Sequence, residues 1–170
     1  MHAGEIDRAI DLFDQVLAKT PSDLAALTSK GHALKTFGMT DEAVASYHKA
    51  VEIDPLHGDA WYALANLKTY EFSEAELDQM RLALQSTDLP LMSRIHIQFA
   101  LGKAYDDRGA YDAAFEAYRA GNALKKQQTR YTSEQMEAEF EAQKRHGTKA
   151  LFAEKAGVGH SAPDPIFIVG

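Results

Sequence analysis

Three stretches of this chain align without gaps: "GEIDRAIDLF" from Gly4, "GMTDEAVASY" from Gly38 and "GAYDAAFEAY" from Gly109. Glycine, aspartate, alanine and an aromatic residue recur at fixed offsets, and an internal period of this kind limits the fold to stacked copies of one small unit. Gly4 and Gly38 are 34 residues apart, and the same step carries Ala9 to Ala43, Phe13 to Tyr47 and Pro21 to Pro55. Upstream, "KGHALKTFG" and "LGKAYDDRG" place Gly31 and Gly102 seven residues before Gly38 and Gly109. Gly31 and Gly102 are 71 residues apart, one 34-residue step and one of 37, so a further unit must begin near residue 58.

That unit is present in weaker form as "GDAWYALANLKTYEFSEAELDQMRLAL". Trp61, Leu64 and Ala65 mark its first helix. Ser73 with Glu76 three residues on has the spacing of a capping box that opens its second. Phe72 stands where the other units have the turn glycine, so this turn must be built differently. The pattern resembles the tetratricopeptide repeat, with its Trp, Leu-Gly, Tyr, Ala, Phe and Pro positions. The resemblance implies an all-α solenoid of helical hairpins wound as a right-handed superhelix. In it the small Gly31, Ala65 and Gly102 let each first helix approach the second, where Ala9, Ala43 and Ala114 form the matching small site. Phe13, Tyr47 and Tyr118 are expected to fill the gap between neighbouring repeats, while Pro21 and Pro55 end second helices because proline cannot continue one.

The units read as follows: 1–22, the second helix of a truncated unit; 23–57, a full unit; 58–94, a degenerate unit; and 95–128, a full unit. Residues 129–157 form a helical extension, in which Thr132 with Gln135 has capping-box spacing, Met136 and Phe140 lie one turn apart and Gly147 ends the helix. Residues 158–170 are a Gly/Pro/Ser linker followed by an extended segment. The first helix lacks a partner, which suggests a cut or late start within a longer array, since solenoid ends normally carry a polar cap.

Charge and composition exclude several functions. The net charge of −7 opposes a polyanionic partner such as nucleic acid. Residues 1–124 hold 11 basic and 19 acidic side chains, and 125–155 hold 7 and 5, so "LKKQQTR" is a mildly basic solvated face. No apolar run approaches the ~20 residues of a membrane span, the N-terminus lacks a signal-peptide layout, and a cytoplasmic location is expected. Cysteine is absent. That removes disulfides, thiolate nucleophiles and cysteine-based metal sites. The seven histidines, at 2, 32, 48, 57, 96, 146 and 160, never fall at His-x-x-x-His spacing, so no metal is expected. No motif anchors a nucleophilic triad, and pairs such as Asp106-Asp107 suit helix ends better than acid–base work.

A repeat array works through its concave face, lined by first-helix positions that the core does not claim. Counting from the small residue of each unit gives Thr28, His32 and Lys35; Tyr62, Asn66 and Thr69; and Phe99, Lys103 and Asp106. Asn66 fits one position of the groove that clamps a partner's terminal carboxylate in some tetratricopeptide modules, but the surrounding lysines do not match. General peptide or intramolecular docking is the favoured use.

The chain ends "PDPIFIVG", a short β-branched and aromatic run followed by glycine, the pattern of a buried strand entering a phosphate loop. Together with the repeats, "FALGKAYDDRGAYDAAFEAYRAGNALKK" and the proline-containing linker, it resembles bacterial tetratricopeptide-repeat sulfotransferases, related to the protein-tyrosine sulfotransferase-like family. The resemblance implies a parent that uses 3′-phosphoadenosine 5′-phosphosulfate, with its anion site made by a Pro-x-Ser-Gly-Thr-Thr type loop and a helix N-terminus. No such loop lies within residues 1–170, so no catalytic or cofactor-binding residue carries over and the stretch itself is not expected to catalyse. The array's expected partners are a protein or peptide, the parent's own catalytic domain, or a second copy in a homodimer. The rival is a stand-alone adaptor that binds a peptide in its groove. A third reading, that the array recruits the acceptor for tyrosine sulfation, meets a charge objection, because acid-rich acceptors would be repelled by residues 1–124.

Overall fold

The computed structural model describes residues 3–128 and 132–158, with side chains from residue 8 onward. The predicted strand at Ile166–Val169, and with it most of the 158–170 segment, lies outside the described residues. Nine α-helices and no strands occur among them: α1 (Ala3–Lys19), α2 (Leu24–Phe37), α3 (Thr40–Ile53), α4 (Gly58–Ala65), α5 (Glu74–Ala83), α6 (Leu91–Asp107), α7 (Tyr111–Gln128), α8 (Ser133–His146) and α9 (Lys149–Glu154). The chain divides into two compact units, Met1–Thr129 and Arg130–Gly170.

In the first unit the helices pack as the repeat predicts: α1 on α2, α2 on α3, α6 on α7, with α4 against both α3 and α6. The two full hairpins turn in the same way. Gly38 and Gly109 take left-handed backbone angles (φ 86° and 70°), which a side chain resists. The N–H groups of Met39 and Ala110 then reach back to the carbonyls of Leu34 and Tyr105, each at 2.9 Å, closing the last helical turn.

The aromatic residues of α3 and α7 lie within their own hairpins. Tyr47 rests on Gly31 and Tyr118 on Gly102, so near that a Cβ at either glycine would come within 2.3 and 2.5 Å of the tyrosine ring. This corrects the expectation that these rings fill the space between repeats. The glycine is small because the tyrosine occupies the place of its side chain. Ala43 and Ala114 are buried beside them, as the small-site pattern requires.

The degenerate unit departs from the hairpin. Its first helix stops at Ala65 after eight residues, and α5 packs on α6. Phe72, in the place of the turn glycine, is buried with its ring 5.0 Å from Tyr70 and 6.3 Å from Trp61. An apolar plug thus replaces a tight turn. Trp61 is fully buried and donates its indole N–H to the Pro55 carbonyl at 2.9 Å, so its one polar atom is satisfied. The N-terminus of α4 passes against α6 at Gly58, where a Cβ would stand 2.4 Å from Ser93 Cα. This contact sets α4 and α6 side by side and positions the groove described below.

The second unit contains α8 and α9. Thr132 and Thr148 cap them by accepting from Gln135 N–H and Leu151 N–H, each at 3.2 Å. Gly147 ends α8 as its sequence predicts. None of the residues in these two helices is buried, and Phe140 and Phe152 are largely exposed.

Candidate functional site

The first helices α2, α4 and α6 each carry one polar and aromatic stripe, because their apolar positions are committed to the hairpins behind them. Four of the nine residues picked from the sequence converge there. His32 and Lys35 of α2, and Tyr62 and Asn66 at the end of α4, line one open cavity of about 280 Å³ together with Asp59, Ala63 and His96.

Tyr62 is its centre. The ring stacks on the His96 imidazole with centroids 4.8 Å apart and planes inclined by 14°, and 38% of the residue stays exposed. His96 in turn meets Asp59, Nδ1 to Oδ1 at 2.6 Å, which fixes the imidazole under the phenol. Phe99 lies 6.3 Å from Tyr62 and 6.3 Å from Tyr118, so the aromatic surface continues along α6 into the next hairpin.

The polar edge of the cavity is formed by α2. Tyr47 Oη and His32 Nδ1 share a hydrogen bond of 2.9 Å, and Lys35 Nζ donates to the Asn66 carbonyl at 3.3 Å. Burial, with the nearby Lys35 charge adding to it, holds His32 below its ordinary value of 6.5, against a smaller opposing pull from Asp59. The imidazole is therefore kept neutral near pH 7. Burial also pushes the Tyr47 phenol up to about 12, so this hydroxyl stays protonated. Among the described residues Lys35 makes no ion pair, and its ammonium sits at the groove edge held by the Asn66 carbonyl.

The remaining candidates sit elsewhere. Thr28 is buried and committed, donating to the Leu24 carbonyl and hydrogen-bonded to His57 Nε2, both at 2.8 Å. Thr69 lines a separate cavity with Val44, Leu67 and Tyr70. Lys103 pairs with Asp107 and reaches the Tyr70 carbonyl, while Asp106 is exposed beyond it on α6. Counting from the small residues missed Asp59 and His96. Each lies one helical turn before a chosen aromatic, Tyr62 or Phe99, so extending both stripes by three residues would have found them.

The arrangement can bind, through an aromatic platform, a neutral imidazole, an amide and the Lys35 ammonium. Among the described residues no cluster of side chains is built to hold a metal ion. No described helix is long and apolar enough to cross a membrane.

Comparison with known protein families agrees with the repeat. The tetratricopeptide repeat family matches residues 24–55 and 95–128. An uncharacterized protein of Aquifex aeolicus (strain VF5) is 25% identical over 162 residues, 95% of this chain and 21% of that protein. The general transcriptional corepressor trfA of Dictyostelium discoideum is 27% identical over 119 residues, 69% of this chain and 8% of that protein. The chain thus spans only a small part of the length of these relatives. The crystal structure of MamA aligns with 75% of this chain and 93% of its own at 18% identity, with a TM-score of 0.38. Residues 24–55 and 95–128 are tetratricopeptide repeats, and the first unit is an all-α helical solenoid.

Proposed function

We propose that the first unit is a protein-interaction module that holds an extended peptide across α2, α4 and α6. The observation that carries this reading is the half-exposed Tyr62 ring, stacked on His96 in one cavity with Lys35, which makes no ion pair among the described residues. An aromatic or apolar side chain fits the Tyr62–Phe99 surface, and an acidic group fits beside Lys35. Tyrosine offers a large contact area at low entropic cost, which makes such rings effective anchors. We assign the module to the cytoplasm, and no cofactor to the groove.

A library of short peptides that pair a carboxylate with an aromatic residue tests this. Peptides selected by the chain should shift the ring signals of Tyr62 and His96, and Tyr62→Ala should weaken them at least about tenfold, the range of an interface anchor. Selected peptides that bind the Tyr62→Ala variant as well as the parent would refute the groove.

A second reading rests on "PDPIFIVG". Its strand-then-glycine pattern favours a longer protein that transfers a sulfuryl group from 3′-phosphoadenosine 5′-phosphosulfate, with the array docked on that protein's catalytic domain or paired in a homodimer. Neither the repeat match nor the relatives above carry that chemistry, so the segment is its whole support. A Ser-Gly-Thr-Thr type loop encoded directly after Gly170 would support it. Full sulfuryl-transfer activity and normal assembly after deletion of residues 1–124 would remove the array's docking role.

A further inference from the structure

The groove across α2, α4 and α6 carries opposite charges at its two ends. Asp59, Tyr62, Ala63 and Asn66 follow one another at helical spacing and line one cavity, so they share one face of α4. Asp59 stands in the first turn of that helix, and Asn66 is its C-cap, whose carbonyl accepts from Lys35 Nζ at 3.3 Å. Asp59 and Asn66 are seven residues apart, about 10 Å at the helical rise. The Tyr62 ring therefore lies between a carboxylate and an ammonium.

Asp59 has room for a second partner. Its Oδ1 meets His96 Nδ1 at 2.6 Å, and 58% of its side chain remains exposed. Among the described residues no lysine or arginine pairs with it. A neutral imidazole donates this bond without cancelling the charge of the carboxylate. The bond also fixes where the carboxylate stands, beside the stacked Tyr62 and His96 rings. Its field reaches across the groove, where Asp59 and Lys35 act on His32 in opposite directions.

The cation that suits this place is an arginine. A guanidinium is planar, so it can lie along the Tyr62 ring while its N–H groups reach the carboxylate, whereas an ammonium is a compact point charge. The wider charge distribution agrees. Residues 1–124 hold 11 basic and 19 acidic side chains, so a ligand offering carboxylates alone approaches against the field, and one that adds a cation does not.

We propose that the groove selects an extended peptide with an arginine, an aromatic residue and an acidic residue at alternate positions, the arginine on Asp59, the aromatic on Tyr62 and Phe99, and the acid beside Lys35. This rests on the peptide-binding reading above and adds to it the cation and the spacing of the two charges. Alternate residues of an extended chain share one side and lie about 6.6 Å apart, so the outer two are about 13 Å apart, a span that long arginine and glutamate side chains draw in to about 10 Å.

The probe is the blocked peptide acetyl-Ser-Arg-Ser-Phe-Ser-Glu-Ser-amide, which has no terminal carboxylate, added to the whole chain and followed through the ring signals of Tyr62 and His96. Replacing its arginine with citrulline keeps the shape and removes the charge, and should weaken binding at least about threefold, the scale of a part-exposed ion pair with a ring contact. Lysine at that position should bind between the two. Asp59→Asn keeps an acceptor for His96 and should close most of the gap between the arginine and citrulline peptides, while Lys35→Gln should weaken both by a similar factor. The citrulline comparison on the wild-type chain stands by itself should Asp59→Asn fail to fold. Equal binding of the two peptides, with Tyr62 and His96 still shifting, would overturn the role of Asp59 and leave the peptide groove in place. Absence of any shift with the arginine peptide would also overturn it, and the library selection described above then decides the groove independently.

Discussion

Tyr47 lies with its ring on Gly31, so close that a Cβ at position 31 would stand 2.3 Å from Tyr47 Cε1. Tyr47 is fully buried and cannot swing away. In an isolated helix, replacing a mid-helix glycine with alanine gains about 1 kcal/mol of propensity. Overpacking a filled core costs about 1–3 kcal/mol, and here the added carbon meets the ring at well below contact distance. Packing wins at the fully buried ring, so Gly31→Ala should lower the unfolding free energy in urea titrations, and Gly102→Ala, whose Tyr118 is only half-buried, should lower it less. Adding Tyr47→Leu to Gly31→Ala should recover part of the loss, since the clash is with the ring. A stabilised Gly31→Ala protein would show that the ring is not held in place.

The same ring holds His32 through its hydroxyl, and this contact links stability to pH. Burial first, and Lys35 second, keep His32 below its ordinary 6.5. A histidine that is harder to protonate when folded adds nothing above the unfolded value, and it subtracts stability as pH falls below about 6.5. The fold should therefore weaken on acidification through that value, and a His32→Gln variant should weaken less. NMR titration should find the ring titrating below 6.5. Lys35→Ala should raise it only in part, because burial is the larger cause. A His32 that titrates at or above its ordinary value would contradict the geometry.

The parts of this structure that were legible in the sequence are those set by residues close together in the chain. The Gly31–Tyr47 and Gly102–Tyr118 relationships repeat at one spacing, so the hairpins could be read from glycines and aromatics. Ser73 and Glu76 are three residues apart, and their capping box could be read in the same way. The groove was only half legible. His32, Lys35, Tyr62 and Asn66 share a cavity because helical period places them on first-helix faces, but Thr28 was lost to a partner, His57, 29 residues away. His96 was missed for a related reason, since the hydrogen bond with Asp59 that orients it spans 37 residues. The early end of α4 had no signal in the sequence, and beyond it Phe72 is buried beside Trp61 and Tyr70.

The capping box at α5 makes a second pH prediction of opposite origin. Ser73 Oγ accepts from Glu76 N–H at 3.3 Å, and Glu76 Oε2 accepts from Ser73 N–H at 2.7 Å, while Oε1 accepts from the Tyr70 hydroxyl at 2.5 Å. Burial pushes the Glu76 carboxyl up, but the hydrogen bonds from Tyr70 and from the Ser73 side chain and backbone, aided by His48, together hold it below 4.5. A depressed carboxylate contributes stability that is present above the unfolded value and is lost as pH falls through the folded one. Glu76→Gln should flatten the part of the stability profile below about 4.5. Ser73→Ala should cost about 1 kcal/mol at neutral pH, the usual worth of an N-cap. Denaturant titrations at several pH values measure both, and an unchanged acid limb in Glu76→Gln would dismiss the network.

The far end of α5 depends on one arginine from the next helix. Arg94 donates from Nη1 to the Leu84 carbonyl at 2.6 Å and from Nη2 to the Ser86 carbonyl at 2.8 Å. Leu84 is the C-cap of α5, and carbonyls at a helix end lack intrahelical donors and carry the negative end of its dipole. The planar guanidinium spans both acceptors in one geometry, which a lysine ammonium cannot do. In a unit whose first helix is cut short and whose second leans on α6, this fork ties α5 to the array from one end while Leu77 and Met80 bury its face. Hydrogen bonds to a charged group contribute about 1.5–3 kcal/mol, so Arg94→Ala should lose about that much and Arg94→Lys should restore less than half. Hydrogen exchange separates a local role from a general one. Faster exchange confined to the α5 amides is expected, whereas equal acceleration in α2 and α3 would mean that Arg94 supports the whole array and not this helix end.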